Sequence, residues 1–163
     1  WARINYDFWK GGWSILRGIE FKIPNLYGSF ISDILNGISV EQYVWKISED
    51  EEYLNMEKSL FLTEVLTGQD FKETICYPSY YIVFANLQAY PNGSDLNELN
   101  TYEDFLKSSC EIVILITDSI FVEIYAKDEK IINKIKYNAE QCDFKEIRYI
   151  TDKNDCRTVF SVI

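Results

Sequence analysis

The sequence predicts an α+β protein with a single mixed, largely antiparallel sheet and three to four helices packed against it. Predicted strands outnumber predicted helices, and Asp118-Ser119 marks a tight turn between two strands, as in a hairpin. The 163 residues match one ordinary domain, and 47% of them are hydrophobic, enough to form a core. We therefore expect one α+β domain over residues 16–163.

Residues 1–15 differ in character from the rest of the chain. They contain three of the four tryptophans, and their apolar residues follow neither the strand nor the helix period. Lys10-Gly11-Gly12 can be encoded by AAAGGAGG, the core of a bacterial ribosome-binding site, and Leu16 follows at a suitable spacing for a TTG start codon. We expect residues 1–15 to be a non-native or disordered extension, with a genuine N-terminal extension as the alternative.

The domain is predicted to begin with a strand and a helix. Apolar residues alternate with Glu20 and Lys22 over 19–23, which is typical of a half-buried strand. Apolar residues then recur at helical spacing over 27–38, and Gly37 marks the end of the helix.

A second strand is predicted over 43–47. The acidic run 49–52 follows it, and we interpret this run as a solvated loop. Residues 57–66 are ambiguous. Thr67 has capping-box spacing to Asp70 and predicts the start of a short helix.

Two continuous apolar runs, 80–87 and 112–116, predict strands buried on both faces. Between them, Asn92-Gly93 indicates a turn, and Thr101 with Asp104 repeats the capping spacing ahead of a third helix.

The last third of the chain returns to alternating elements. A strand over 120–124 completes the hairpin, and Asp128 is placed to cap a helix with one apolar face. Segments 145–150 and 158–163 are predicted to be strands, joined by a polar loop over 151–157.

The net charge of −10 restricts the partners that the protein can have. It arises from 26 acidic and 16 basic residues, and such a surface repels nucleic acid and anionic membranes. We expect no nucleic-acid or membrane partner and favour a basic protein; the charge leaves the oligomeric state open. No segment is typical of a signal peptide or a membrane span, which predicts a cytoplasmic location.

Side-chain chemistry excludes several kinds of site. The chain has no histidine, which removes histidine-dependent catalysis and every metal site that contains histidine. Its four cysteines lack C-x-x-C spacing and are predicted to be free thiols, with a Cys142–Cys156 disulfide as the alternative. We predict no metal site, no cofactor and no identifiable catalytic residue.

Two polar clusters are candidate binding sites. Glu49, Asp50, Glu51 and Glu52 are placed to contact a basic partner, although a solvated charge run accounts for them equally well. The loop 151–157 offers three further side chains, for a hard cation or for a charged ligand: Asp152, Asp155 and Arg157. The interpretation we favour for this loop is a turn in which Asp and Asn side chains bond the local backbone.

Four segments resemble an uncharacterised family of small Bacillus-type proteins, filed as domain of unknown function 2691. The segments are RGIEFKIPN (17–25), YYIVFANLQAYP (80–91), YEDFLKSSCEIVILITDS (102–119) and EIRYITDKNDCRT (146–158). The resemblance runs from about residue 17 to the C-terminus. It implies a bacterial, cytoplasmic origin and a start just before the first segment, and it carries no activity or site residue to transfer.

Two functions remain open from the sequence. The favoured one is a small acidic binding protein, such as an immunity or inhibitor protein against a basic toxin, because acidic inhibitors reach basic active sites by electrostatic steering. The alternative is an enzyme that acts on a small molecule with carboxylate, tyrosine or cysteine chemistry and without histidine or metal.

Overall fold

A computed structural model describes residues 4–7, 12–55 and 58–163, and its centre is an eight-stranded sheet. The strands run in the order β1-β2-β7-β6-β5-β3-β4, and β8 pairs with β2. Every pairing between these strands is antiparallel, which confirms the predicted fold class. The strands are β1 (Ile4–Asp7), β2 (Gly12–Lys22), β3 (Tyr43–Tyr53), β4 (Val65–Leu66), β5 (Tyr81–Pro91), β6 (Ile112–Thr117), β7 (Phe121–Ala126) and β8 (Lys145–Thr151).

Four α-helices and one 3-10 turn complete the described part of the chain. They are α1 (Phe30–Ile34), α2 (Gly68–Ile75), α3 (Tyr102–Lys107), α4 (Glu129–Gln141) and the 3-10 turn Val40–Gln42. The predicted caps are confirmed for three helices. The side chains of Thr67, Thr101 and Asp128 accept backbone N–H bonds at the starts of α2, α3 and α4.

Two apolar clusters lie on opposite faces of the sheet. The first cluster lies between the sheet and helices α1, α2 and α4, and the second lies under α3 and the chain that follows β8. Strand β6 is buried on both faces, because Ile112 and Ile114 belong to the first cluster while Val113 and Leu115 belong to the second. The prediction of a doubly buried strand over 112–116 is therefore confirmed.

A bulge in β2 turns one charged side chain away from the first cluster. The pairing with β8 shifts register between Leu16 and Gly18. Leu16 packs against the first cluster, whereas Arg17 contacts Tyr102, which packs against the second. Gly18 is required here, since a Cβ atom at this position would lie 1.9 Å from the carbonyl oxygen of Ile124.

Three of the predicted secondary-structure assignments are wrong. The acidic run 49–52 is part of β3 and not a loop, because β3 continues to Tyr53 alongside β5. Residues 158–163 form no strand; their polar groups bond side chains and a loop carbonyl instead. The helix predicted over 27–38 is limited to Phe30–Ile34.

The N-terminal segment 1–15 is described only in part. Ile4–Asp7 forms β1, and residues 12–15 begin β2, so these two stretches are ordered strands. Residues 1–3 and 8–11 lie outside the described residues, and the assignment of 1–15 as a non-native extension stays a prediction. Within the described ranges, no helix is both long enough and apolar enough to cross a bilayer.

Candidate functional site

A cleft of ≈ 650 Å³ opens where β2 and β7 separate. The two strands are paired up to Gly18 and Tyr125, and the cleft lies beyond these residues, between β2, α3 and the start of α4. Its volume falls within the range of small-molecule sites, about 300–1,000 Å³. Six lining residues are apolar or aromatic and four are charged: Ile15, Leu16, Tyr102, Leu106, Ala126 and Ile132, with Arg17, Lys127, Glu111 and Glu129.

Arg17 is held in a fixed orientation at the side of this cleft. Its Nη1 donates to Asp155 Oδ2 at 3.0 Å, and its guanidinium carbon lies 4.2 Å from the centre of the Tyr102 ring. Its Nε is buried and meets no acceptor among the described residues. The guanidinium therefore has donor capacity that the protein itself does not use.

Asp155 is the partner that holds Arg17. Its side chain is 3% exposed and also accepts bonds from the Tyr125 hydroxyl, at 2.9 Å, and from the Arg157 backbone N–H, at 3.1 Å. Burial, and then the neighbouring Asp155 carboxylate, raise the pKa of the Tyr125 phenol. The phenol therefore stays protonated and continues to donate to Asp155.

The rest of the loop 151–157 is occupied with structural contacts. Asn154 Oδ1 accepts from the Thr151 backbone N–H at 2.8 Å, which is the side-chain turn favoured from the sequence. Arg157 pairs with Glu123 and donates to the carbonyls of Val159 and Ser161, so it fixes the chain that follows.

Of the three predicted loop residues, Asp155 contacts an arginine of the cleft, and Asp152 accepts from the Ile15 N–H at 2.8 Å. Among the described residues, no group of three or more Cys, Asp or Glu side chains is placed to hold a metal ion.

The lining of the cleft also carries a second cation and two carboxylates. Lys127 Nζ donates to the carbonyl of Ser108 and lies 5.2 Å from the centre of the Phe105 ring. Glu111 and Glu129 are half-buried, and neither forms an ion pair with another described residue. The cleft thus offers two positive and two negative groups in an otherwise apolar lining.

The acidic run 49–52 lies far from this cleft in the sheet, and its four side chains have different surroundings. Glu49 accepts from the Ser161 hydroxyl at 3.0 Å and from the Val162 N–H at 2.7 Å, which anchors the C-terminal segment. Asp50 is exposed, and Glu51 accepts from the Tyr53 hydroxyl at 2.8 Å. The exposure predicted for all four residues is therefore wrong for Glu52 and partly wrong for Glu49 and Glu51, which are half-buried.

Glu52 is buried inside the first cluster without a cation. Its Oε1 accepts from the Ser59 hydroxyl at 2.6 Å and from the N–H groups of Leu60 and Phe61 at 2.9 and 3.0 Å, whereas its Oε2 meets no donor. Burial raises the pKa of Glu52 to about 7, and a hydrogen bond and repulsion involving Asp50 add to the shift. Protonation of this carboxyl removes a buried negative charge that has no cation beside it.

A tyrosine surface lies beside the exposed end of β3. Tyr53 and Tyr81 are cross-strand neighbours, and the Tyr27 ring lies 5.4 Å from the Tyr81 ring. Leu26 and Tyr27 are 63% and 48% exposed, which is unusual for large apolar side chains. Two further tyrosines, Tyr80 and Tyr90, are fully buried and do not belong to this surface.

Sequence reasoning missed Arg17, Tyr102 and Lys127 as cleft residues. Alternation from Ile19 back to Arg17 would place Arg17 on the first cluster's face, and only the bulge reverses this. The one available signal was Arg17 itself, a charged residue at a position that the alternation of β2 assigns to the apolar face.

Comparisons with known proteins identify relatives. A sequence profile of the family described as Protein of unknown function (DUF2691) matches residues 16–161. A Bacillus subtilis (strain 168) protein called "Uncharacterized protein YncE" is 39% identical over 151 residues, which cover 90% of this chain and 99% of that protein. No solved structure matches the chain.

Proposed function

The chain belongs to the family described as Protein of unknown function (DUF2691), and we propose from its geometry that it is a binding protein for a small organic anion. The ligand's carboxylate or phosphate group is held by Arg17 and Lys127 in the cleft. The observation that carries this proposal is the fixed Arg17 guanidinium, which lines the cleft and gives only one of its five N–H groups to another described residue, Asp155. An anion in the cleft can accept from the donors that remain.

The surroundings of Arg17 suit an anion that also carries apolar groups. Stacking on Tyr102 and pairing with Asp155 fix the guanidinium before a ligand arrives, so little side-chain entropy is lost on binding. The apolar lining of Ile15, Leu16 and Leu106 provides contact area for the remainder of the ligand.

Isothermal titration of the full chain with isocaproate, benzoate, inorganic phosphate and phenyl phosphate tests the proposal. We expect at least one of these probes to bind, and the Lys127→Met and Arg17→Lys variants to bind it about tenfold more weakly, because each loses a charge-assisted contact. Lys107→Met and Arg148→Lys are matched controls outside the cleft and should bind as the wild type does. Failure of all four probes, or equal losses in the controls, contradicts the proposal.

A basic protein partner is the second candidate, and the exposed tyrosine surface favours it. Tyr27, Tyr53 and Tyr81 lie together next to Glu51, and aromatic residues are enriched in protein interfaces. The net charge of −10 directs this surface to basic proteins and away from nucleic acid and anionic membranes. We propose a cytoplasmic location, which the four free thiols support.

Affinity capture of the purified full chain with lysate of a Bacillus host tests the second candidate. A stoichiometric basic protein that dissociates at high salt is the expected result. Capture that is unchanged when Tyr27 and Tyr81 are replaced by serine contradicts an interface at this surface.

A further inference from the structure

The charged residues that line the cleft are of both signs, so they restrict the ligand further than to an anion. Arg17 and Lys127 account for one sign, but Glu111 and Glu129 line the same cleft and have no ion-pair partner among the described residues. A ligand with only negative charge would leave these two carboxylates facing it, and like charges brought close together in a partly desolvated site repel each other.

We propose that the ligand of the cleft is a zwitterion, with a carboxylate at Arg17 and Lys127, an ammonium group at Glu111 and Glu129, and apolar groups against the rest of the lining. This inference rests on the proposed function and names the ligand class for the same site. The simplest molecule of this kind is a free dipeptide with apolar side chains.

The lining supports this assignment at each part of such a ligand. The Arg17 fork is suited to the planar carboxylate, which accepts two parallel N–H bonds from a guanidinium. An ammonium group has three donors and no acceptor, so two half-buried carboxylates match it. The apolar residues Ile15, Leu16 and Leu106 lie in the same lining and accommodate aliphatic side chains.

The volume favours a ligand larger than a single small anion. A cleft of ≈ 650 Å³ falls in the middle of the range for sites that enclose drug-sized molecules, about 300–1,000 Å³. Acetate or phosphate alone would leave most of the apolar lining in contact with water.

Three matched probes test the inference by titration calorimetry of the full chain. Leucyl-leucine carries both terminal charges, N-acetyl-leucyl-leucine lacks the ammonium group, and leucyl-leucinamide lacks the carboxylate. We expect leucyl-leucine to bind at least about tenfold more tightly than either derivative, since each derivative loses one set of charge-assisted hydrogen bonds.

The protein side is tested with the double variant Glu111→Gln/Glu129→Gln. It should lose the preference for leucyl-leucine over the N-acetyl probe and keep its affinity for the N-acetyl probe. The double variant Glu64→Gln/Glu73→Gln, at two exposed positions outside the cleft, should keep the preference. A general weakening of the fold would lower the affinity for all probes and would not change their order.

The outcomes separate this inference from the proposed function. If N-acetyl-leucyl-leucine or isocaproate binds as tightly as leucyl-leucine, the zwitterion inference is wrong and the anion-binding function stands. If neither the dipeptides nor the simple anions bind, both are wrong. If leucyl-leucine binds equally well to wild type and to Lys127→Met, it binds elsewhere, and the inference is again wrong.

Discussion

The loop 151–157 and the acidic run 49–52 each bury one carboxylate, and the two carboxylates have opposite surroundings. Asp155 in the loop faces the Arg17 guanidinium at 3.0 Å. Glu52 in β3 faces no cation and has the pKa of its carboxyl raised by burial to about 7. A cation is therefore fixed beside one buried carboxylate, whereas the other has only polar donors around it, and its burial favours the neutral form.

This difference separates a candidate site from a structural element. The pair of Arg17 and Asp155 keeps a charged group at the side of an open cleft. One oxygen of Glu52, by contrast, accepts the hydrogen bonds that order residues 59–61, and the other oxygen is buried without a partner. The predictions below alter one region at a time, beginning with the largest expected effect.

Replacing Arg17 with methionine should destabilise the protein by about 2–4 kcal/mol, because it leaves Asp155 buried without a counter-charge. The loss should fall somewhat short of that for a fully enclosed pair, since the Arg17 side chain is 23% exposed and the Tyr125 hydroxyl still donates to Asp155. Urea unfolding at pH 7 measures the change.

Arg148→Met is the matched control for Arg17→Met. Arg148 pairs with Glu20 on the surface, with its side chain 60% exposed, and surface ion pairs contribute about 0–1 kcal/mol. Adding Asp155→Asn to Arg17→Met should recover part of the loss, because the uncompensated charge is removed. Equal effects of Arg17→Met and Arg148→Met would contradict the assignment of a buried pair.

Replacing Glu52 with glutamine should remove a pH dependence of stability. The pKa of Glu52 is higher in the folded protein, about 7, than its ordinary value of 4.5, so the folded state binds the extra proton between these values. The stability that this proton contributes is complete below about pH 4.5 and is lost as the pH rises through 7, by about 1–3 kcal/mol. Glutamine keeps an acceptor for residues 59–61 and has an N–H₂ group in place of the proton.

Wild type and Glu52→Gln should therefore be similar in stability at pH 4.5, and the variant should become relatively more stable towards pH 8. Thermal melts at several pH values measure this difference, and Glu51→Gln at the neighbouring half-buried position serves as the control. A difference between wild type and Glu52→Gln that does not change with pH would show that Glu52 titrates normally.

A smaller effect is expected when Glu49 is replaced with glutamine. Glu49 accepts from two donors of the C-terminal segment, and glutamine leaves the Val162 N–H or the Ser161 hydroxyl facing an N–H₂ group. We expect a loss of about 1–2 kcal/mol, typical of hydrogen bonds to a charged acceptor. Hydrogen exchange should be faster at Val162, and an unchanged rate would show that the segment is held by its apolar contacts alone.

The local parts of the fold could be predicted from sequence, because their causes are local. Thr67, Thr101 and Asp128 cap helices through bonds to residues two or three positions ahead. The strand over 112–116 follows from a run of apolar residues that only a doubly covered strand can bury.

The site could not be predicted, because its contacts depend on register and on distant residues. Arg17 and Asp155 are separated by 138 positions, and the bulge at Gly18 decides which face Arg17 reaches. The acidic run was assigned to a loop because four successive acids are typical of a solvated segment, whereas β3 continues through it, with a second irregularity between Ile47 and Glu49. Neither bulge has a reliable signal in a single sequence.

The smallest effect on stability is expected from the exposed part of the acidic run. Asp50→Asn/Glu51→Gln should cause no loss of stability, since surface substitutions usually change it by less than about 0.5 kcal/mol and the change at Asp50 removes repulsion with Glu52.

If a basic protein binds the tyrosine surface, the same variant should associate with it more slowly at low salt and nearly normally at high salt, where charges farther apart than a few Å are screened. Stopped-flow association over a salt series, with Glu49→Gln as the comparison, measures this effect. Because Glu49 is occupied by Ser161 and Val162, its replacement should affect stability more than the association rate. The opposite pattern would place the partner at the C-terminal segment and not at the exposed end of β3.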